Sequence, residues 1–169
     1  MYDNNKSYKT NMRDEIEEII KTKNIDRSRF HEFDKHRYNE IIKKFYYTFF
    51  DYEKYKNISL DYLWLKTRSD IKNEVVRGLN QSENWEEYIH SIANYIPDTD
   101  KPQYLILSHG LVYEGSVTEI QMVLIETTYR LDDFYIVSKK FDRVIFHNDD
   151  GECMSVLEKS RPSKKGELV

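Results

Sequence analysis

Phe134–Glu152, FYIVSKKFDRVIFHNDDGE, constrains the fold more than any other stretch of these 169 residues. Two apolar segments, Phe134–Ser138 and Asp142–His147, are joined by a charged pair, Lys139-Lys140, and followed by an acidic loop. Both segments are apolar on alternate and on adjacent positions. A strand of that kind belongs inside a sheet, with helices over at least one face. Lys139 and Lys140 tolerate positive φ poorly, which argues against a primed two-residue turn. A four-residue loop built around a type I turn fits better.

The rest of the C-terminal half extends this pattern. Gln103–Ser108 (QYLILS) reads as a buried strand, and His109-Gly110 turns it back into a short strand, Leu111–Glu114. Ser116-Val117-Thr118-Glu119 has the form of a capping box. Ser116 would accept from the backbone amide of Glu119 while the Glu119 side chain reaches back. Val117, Ile120, Leu124 and Leu131 then line one face of a helix that Asp132 and Asp133 end.

The N-terminal half follows helical spacing. Asn11 is a good N-cap for a first helix, with Asp14, Glu15 and Glu17 near its positive end and Ile16, Ile19 and Ile20 as a buried stripe. Beyond a second cap at Asp26, the residues Phe30, Phe33, Tyr38, Ile41, Ile42, Phe45 and Phe49 recur every three or four positions, which predicts a long amphipathic helix or a bent pair. Ile58–Thr67 reads equally as a short strand or a helical turn. Ser69 is positioned to cap a helix from Asp70 to Leu79. Ser82 caps another, with Trp85, Ile89, Ile92 and Ile96 on its buried face and Pro97 at its end. Helices followed by β-β-α-β-β make an α+β fold, N-terminal helices packed on a small mixed or antiparallel sheet. The expected organisation is a flexible leader over residues 1–10, one domain over 11–157 and a basic, disordered tail over 158–169, with Met12 marking where the periodic part begins.

Charge and composition then narrow the function classes. The 14 Tyr and 8 Phe argue against a disordered chain despite 33% charged residues. Five Gly leave little material for a phosphate cradle. The net charge is −4, but the tail and leader are basic, so residues 11–157 carry 27 acids against 20 bases, a balance of −7. Such a body repels phosphate backbones and attracts basic partners, which argues against direct nucleic-acid binding. No apolar run approaches the roughly 20 residues of a bilayer span, and the N-terminus lacks a signal-peptide core, so a cytoplasmic location is expected.

Motifs for catalysis or metal binding are missing. The histidines, His31, His36, His90, His109 and His147, fall in no HExxH or Cys/His spacing, and only His109 and His147 are placed near loops. Cys153 stands alone, with no adjacent base to hold a thiolate, and no GxSxG elbow is present. Paired acids at Glu17/Glu18, Glu86/Glu87, Asp132/Asp133 and Asp149/Asp150 read as solvated faces. The loop His147–Glu152 lacks the register of a calcium loop. The expectation is no catalytic residue, no metal and no cofactor.

Three segments, YLIL, LVYEGSVTEI and DDFYIVSKKFDRVIFHNDDGE, give the region 103–157 its character. In that order they resemble bacterial immunity proteins that neutralise secreted polymorphic toxins, in particular the partners of LXG-type toxins, near the SMI1/KNR4-like group. Tyr113-Glu114-Gly115 before a helix and Tyr135–Phe141 in the hairpin carry the likeness. Arg143 departs from it, standing where a Trp is expected. The resemblance implies a stoichiometric inhibitor that folds in the producing cell's cytoplasm and occludes a cognate toxin domain, such as a nuclease with a basic surface. The contacts implied are Tyr113, Asp132, Asp133, Asp149, Asp150 and Glu152, because carboxylates near strand ends beside a Tyr suit a basic protein. A cytosolic adaptor and a small enzyme with a scattered site stay open as alternatives.

Overall fold

In chain order the elements are α1 (Asn4–Thr22), β1 (Phe30–Glu32), α2 (Tyr38–Phe49), β2 (Ile71–Gly78), α3 (Trp85–His90), β3 (Gln103–Leu107), β4 (Leu111–Gly115), α4 (Val117–Glu126), β5 (Phe134–Ser138), β6 (Arg143–Asn148) and β7 (Cys153–Lys159). They belong to a computed structural model that describes residues 4–56, 66–79, 84–107, 110–127 and 131–160. The fold is α+β. All seven strands join one antiparallel sheet in the order β1-β4-β3-β5-β6-β7-β2. No helix among the described residues is long and apolar enough to cross a membrane.

The sheet separates two cores, as its runs of adjacent apolar residues require. On one face Leu105, Leu107, Phe134, Ile136, Ile145 and Met154 meet Met12, Ile16 and Ile20 of α1, Tyr88 and Ile89 of α3, and Ile120 and Leu124 of α4. On the other, Tyr104, Ile106, Tyr135, Val137, Val144 and Phe146 meet Ile41, Phe45, Tyr46 and Phe49 of α2. Successive side chains of one strand therefore enter opposite cores, the period-two geometry of a doubly covered sheet.

The central hairpin matches its sequence signal. Val137 pairs with Val144, and four residues, 139–142, close the loop. Phe141 donates its amide to the Ser138 carbonyl at 2.8 Å, and the Ser138 hydroxyl accepts from the amides of Asp142 and Arg143. The residue that takes positive φ is Phe141, at 54°, its ring buried against Tyr104. Burial of that ring compensates for a backbone conformation that bulky residues avoid.

Elsewhere tertiary contacts override the local reading. Helix α1 starts at Asn4, so it takes in most of the expected leader, and Asn11 lies inside it rather than capping it. The aromatic run from Phe30 is not one helix. Phe30–Glu32 pairs with Tyr113–Gly115 as β1, and the Phe33 amide donates to the Val112 carbonyl at 3.0 Å. Asp26 holds a turn instead, accepting from the Ser28 amide and hydroxyl, and α2 begins only at Tyr38. Arg13 of α1 pairs with Glu32 at 2.8 Å, and the Tyr38 hydroxyl donates to the same carboxylate, which fixes α1, β1 and α2 together.

The helix expected over Asp70–Leu79 is strand β2. A ten-residue helix is marginal by itself, and Ile71, Val75 and Val76 weaken it further, whereas pairing along β7 satisfies the backbone. A bulge between Val75 and Arg77, with Lys72, Glu74 and Arg77 along this edge, opposes addition of a further strand. Strand β7 has no counterpart in the sequence reading and absorbs Glu158 and Lys159, the start of the expected tail.

The capping box does not close. Ser116 is the N-cap of α4, but its own amide already donates to the Arg29 carbonyl at 2.8 Å, and Arg29 draws Glu119 into an ion pair at 2.7 Å. Glu119 has no donor left to reach back for. Helix α4 also ends at Glu126, short of Leu131 and of Asp132 and Asp133. Helix α3 starts after Asn84, whose side chain accepts from the Glu87 amide at 2.9 Å, and continues as a 3-10 segment to Tyr95. Ser82, His109 and most of Ile58–Thr67 lie outside the described residues.

Candidate functional site

The starts of β5 and β7 and the end of β6 meet at one end of the sheet, and five of the six expected contact residues gather there. Asn148 pairs with Cys153, so residues 149–152 form the β6–β7 loop. Three bonds hold this loop. The Asp149 amide donates to Asp133 Oδ1 at 2.9 Å, the Asp150 amide donates to Asn148 Oδ1 at 2.9 Å, and the Leu79 amide donates to the Glu152 carbonyl at 2.7 Å. Glu152 takes a positive φ of 42° to reach Leu79.

Asp132, Asp149, Asp150 and Glu152 are exposed on this rim. Among the described residues, no cation pairs with Asp149, Asp150 or Glu152. The result is a projecting set of carboxylates on an anchored loop.

Asp133 is not part of the exposed set. It is 8% accessible, and its carboxyl serves the Asp149 amide from beneath. Burial, with the neighbouring Asp149 and Asp150 carboxylates adding to it, pushes the Asp133 carboxyl up to about 7. Its role is to position the loop.

Tyr113 is a larger correction. It lies on β4, fully buried, stacked on Phe30 with ring centroids 5.1 Å apart, and cannot touch a partner. Its buried hydroxyl has no hydrogen-bond partner among the described residues, and burial pushes the phenol up. An aromatic beside Glu114 and Gly115 looked like an interface anchor, but both faces of β4 are covered, and Tyr113 enters the core that holds Phe30 and Met12.

His147 lies beneath the acidic rim. Its ring stacks on Phe134 at 4.9 Å, meets Trp85 edge-on at 5.3 Å, and its Nδ1 lies 2.7 Å from the Tyr88 hydroxyl. Burial pushes the imidazole down to about 4 and the Tyr88 phenol up. Around neutral pH, Tyr88 therefore donates to a neutral imidazole, which fixes the Nε2–H tautomer. Half-buried Cys153 follows on β7. Burial first, and the Asp133 carboxyl second, push its thiol up, opposing thiolate formation.

His147, Tyr88 and Trp85 thus make a satisfied aromatic pocket that braces the rim. The spacing of Trp85 marked it as core, but nothing in sequence singled out Tyr88 or linked it to His147, 59 positions beyond it. No group of His, Cys, Asp and Glu among the described residues is arranged to hold a metal ion.

A family model described as a family of unknown function matches residues 8–166. No curated protein and no solved structure matches the chain.

Proposed function

Because the chain belongs to that family, DUF6756, whose description assigns no activity, we infer its role from its own surface. We propose that it is a binding protein without catalytic chemistry, an immunity protein that neutralises a cognate secreted toxin domain by stoichiometric occlusion in the cytoplasm. The observation that carries this reading is the anchored acidic rim. Asp149, Asp150 and Glu152 project from a four-residue loop tied down at three points, with Asp132 exposed on the adjacent segment. Pre-ordering of the loop before contact removes part of the entropy cost of association. Clustered like charge steers a basic partner and speeds encounter, with a strong dependence on salt. A toxin that binds nucleic acid presents the matching surface, and an acidic cover competes with phosphate for it. The resemblance over residues 103–157 points the same way, since its segments supply β3 to β6 and the whole rim apart from Leu79.

Co-expression tests the proposal. The variable C-terminal domain of a secreted protein encoded beside this chain is expressed alone, and the chain is expected to restore growth and to purify with it as a 1:1 complex. Asp149→Lys with Asp150→Lys is expected to slow association tenfold or more at low salt and to flatten its salt dependence. Equal killing with and without the chain refutes the immunity reading. An unchanged association rate in the double variant removes the rim from the interface.

A further inference from the structure

Of the five acids gathered at the rim, Asp133 alone is buried. Its Oδ1 accepts from the Asp149 amide at 2.9 Å, and its carboxyl lies against the Asp149 carboxyl, with Asp150 next along the loop. Two carboxyls in contact beside a third hold a proton between them, because ionisation of both would set like charges together away from water. That proton sits directly beneath the surface that meets a basic partner. While Asp133 keeps it, the rim carries one negative charge fewer.

Among the described residues, the groups that face Asp133 come from two elements. The β6–β7 loop presents Asp149 and Asp150, and β7 presents the Cys153 thiol. Behind them stand His147 of β6 and Tyr88 of α3, hydrogen-bonded to each other, with Glu152 and Arg77 of β2 facing Tyr88. Burial keeps the imidazole neutral down to about pH 4, and it keeps the thiol and the phenol protonated well above neutrality. Between pH 5.5 and 8, the buried group of this cluster whose charge changes is Asp133.

We propose that a basic partner drives the proton off Asp133 as it seats on the rim, so that binding is coupled to deprotonation and loosens on mild acidification. A positive charge within about 7 Å lowers the proton affinity of a carboxyl tenfold or more at the effective dielectric constant of a protein surface. By linkage, the partner's affinity falls by the same factor once the proton is back. Asp133 takes up its proton as pH falls through about 7, so binding is strongest above that pH and weakens below it. This coupling rests on the rim being the partner surface, and adds a regulation to it.

N-acetylated hexaarginine amide, whose charge is constant over this range, serves as the probe. NMR titration locates it, and calorimetry in two buffers of different ionisation enthalpy counts the protons released. Saturable shifts are expected at the amides of Asp149, Asp150 and Glu152. About half a proton should leave per complex near pH 6.5, and affinity should be about fivefold or more higher at pH 8 than at pH 5.5. Asp133→Asn is expected to bind without proton release and with an affinity that no longer follows pH. If that variant does not fold, the wild-type proton count and pH dependence stand alone. Binding at the rim without proton release overturns the coupling and leaves the rim as the partner surface. Equal release by wild type and Asp133→Asn also overturns the coupling, since another group would then carry the proton. No saturable shift at the rim up to millimolar peptide overturns the coupling and the rim reading together.

Discussion

Asp133→Asn and His147→Gln are expected to tilt the pH dependence of stability in opposite directions. Burial holds His147 at about 4, below its ordinary 6.5, so its contribution is present above pH 6.5 and is lost as pH falls through 4. Burial holds Asp133 at about 7, above its ordinary 3.8, so its contribution is present below pH 3.8 and is lost as pH rises through 7. Between pH 4 and 6.5 the two oppose each other in the wild type. A tenfold change in proton affinity is about 1.4 kcal/mol, so at full value His147 is worth about 3 kcal/mol and Asp133 about 4. Residual solvent contact at Asp133 screens part of this, leaving about 2 kcal/mol. Asn at 133 keeps an acceptor for the Asp149 amide, and Gln at 147 keeps one for Tyr88, so each variant mainly removes a titration. Urea denaturation at pH 4.5, 5.5, 6.5 and 7.5 reads the outcome. Relative to wild type, Asp133→Asn should lose stability on acidification and His147→Gln should gain it, each by about 2 kcal/mol. Carboxylates away from the rim are common to the three proteins and cancel in the differences. Parallel stability curves for all three would refute the reasoning.

Two further predictions concern β4. Tyr113→Phe removes a buried hydroxyl that has no partner, and is expected to raise unfolding free energy by about 1 kcal/mol in chemical denaturation; a loss of similar size would mean that the hydroxyl is satisfied. Gly115→Ala places a Cβ 2.6 Å from the Phe30 ring and 2.7 Å from the Arg29 carbonyl, which should cost about 2 kcal/mol as β1 is pushed away from β4. A Tm within a degree of wild type would show that β1 yields without loss.

The hairpin Phe134–Asn148 was legible because its signal is local. Two apolar runs and a four-residue connection determine each other whatever surrounds them, and β3, β4 and the apolar face of α4 were readable for the same reason. The edge strands were not. Residues 30–32 and 71–78 carry few apolar side chains, and their spacing fits a helix as well as a strand. The acceptors that decide between these states lie on β4 and β7, more than 70 positions later in the chain. The acidic rim was half legible. Asp149, Asp150 and Glu152 sit in an evident loop, but the packing of β1 and α1 over β4 buries Tyr113, and the depth of Asp133 depends on which loop covers it.

From sequence alone came an α+β chain with an acidic body, an aromatic interior and a sheet covered on at least one face, because composition and short-range periodicity report burial directly. Tertiary structure decided which segments became edge strands, and which carboxylate went under the rim and which stayed outside. Those outcomes depend on pairings between distant residues, where backbone hydrogen bonds and desolvation outweigh the few tenths of a kcal/mol that local propensity contributes per residue.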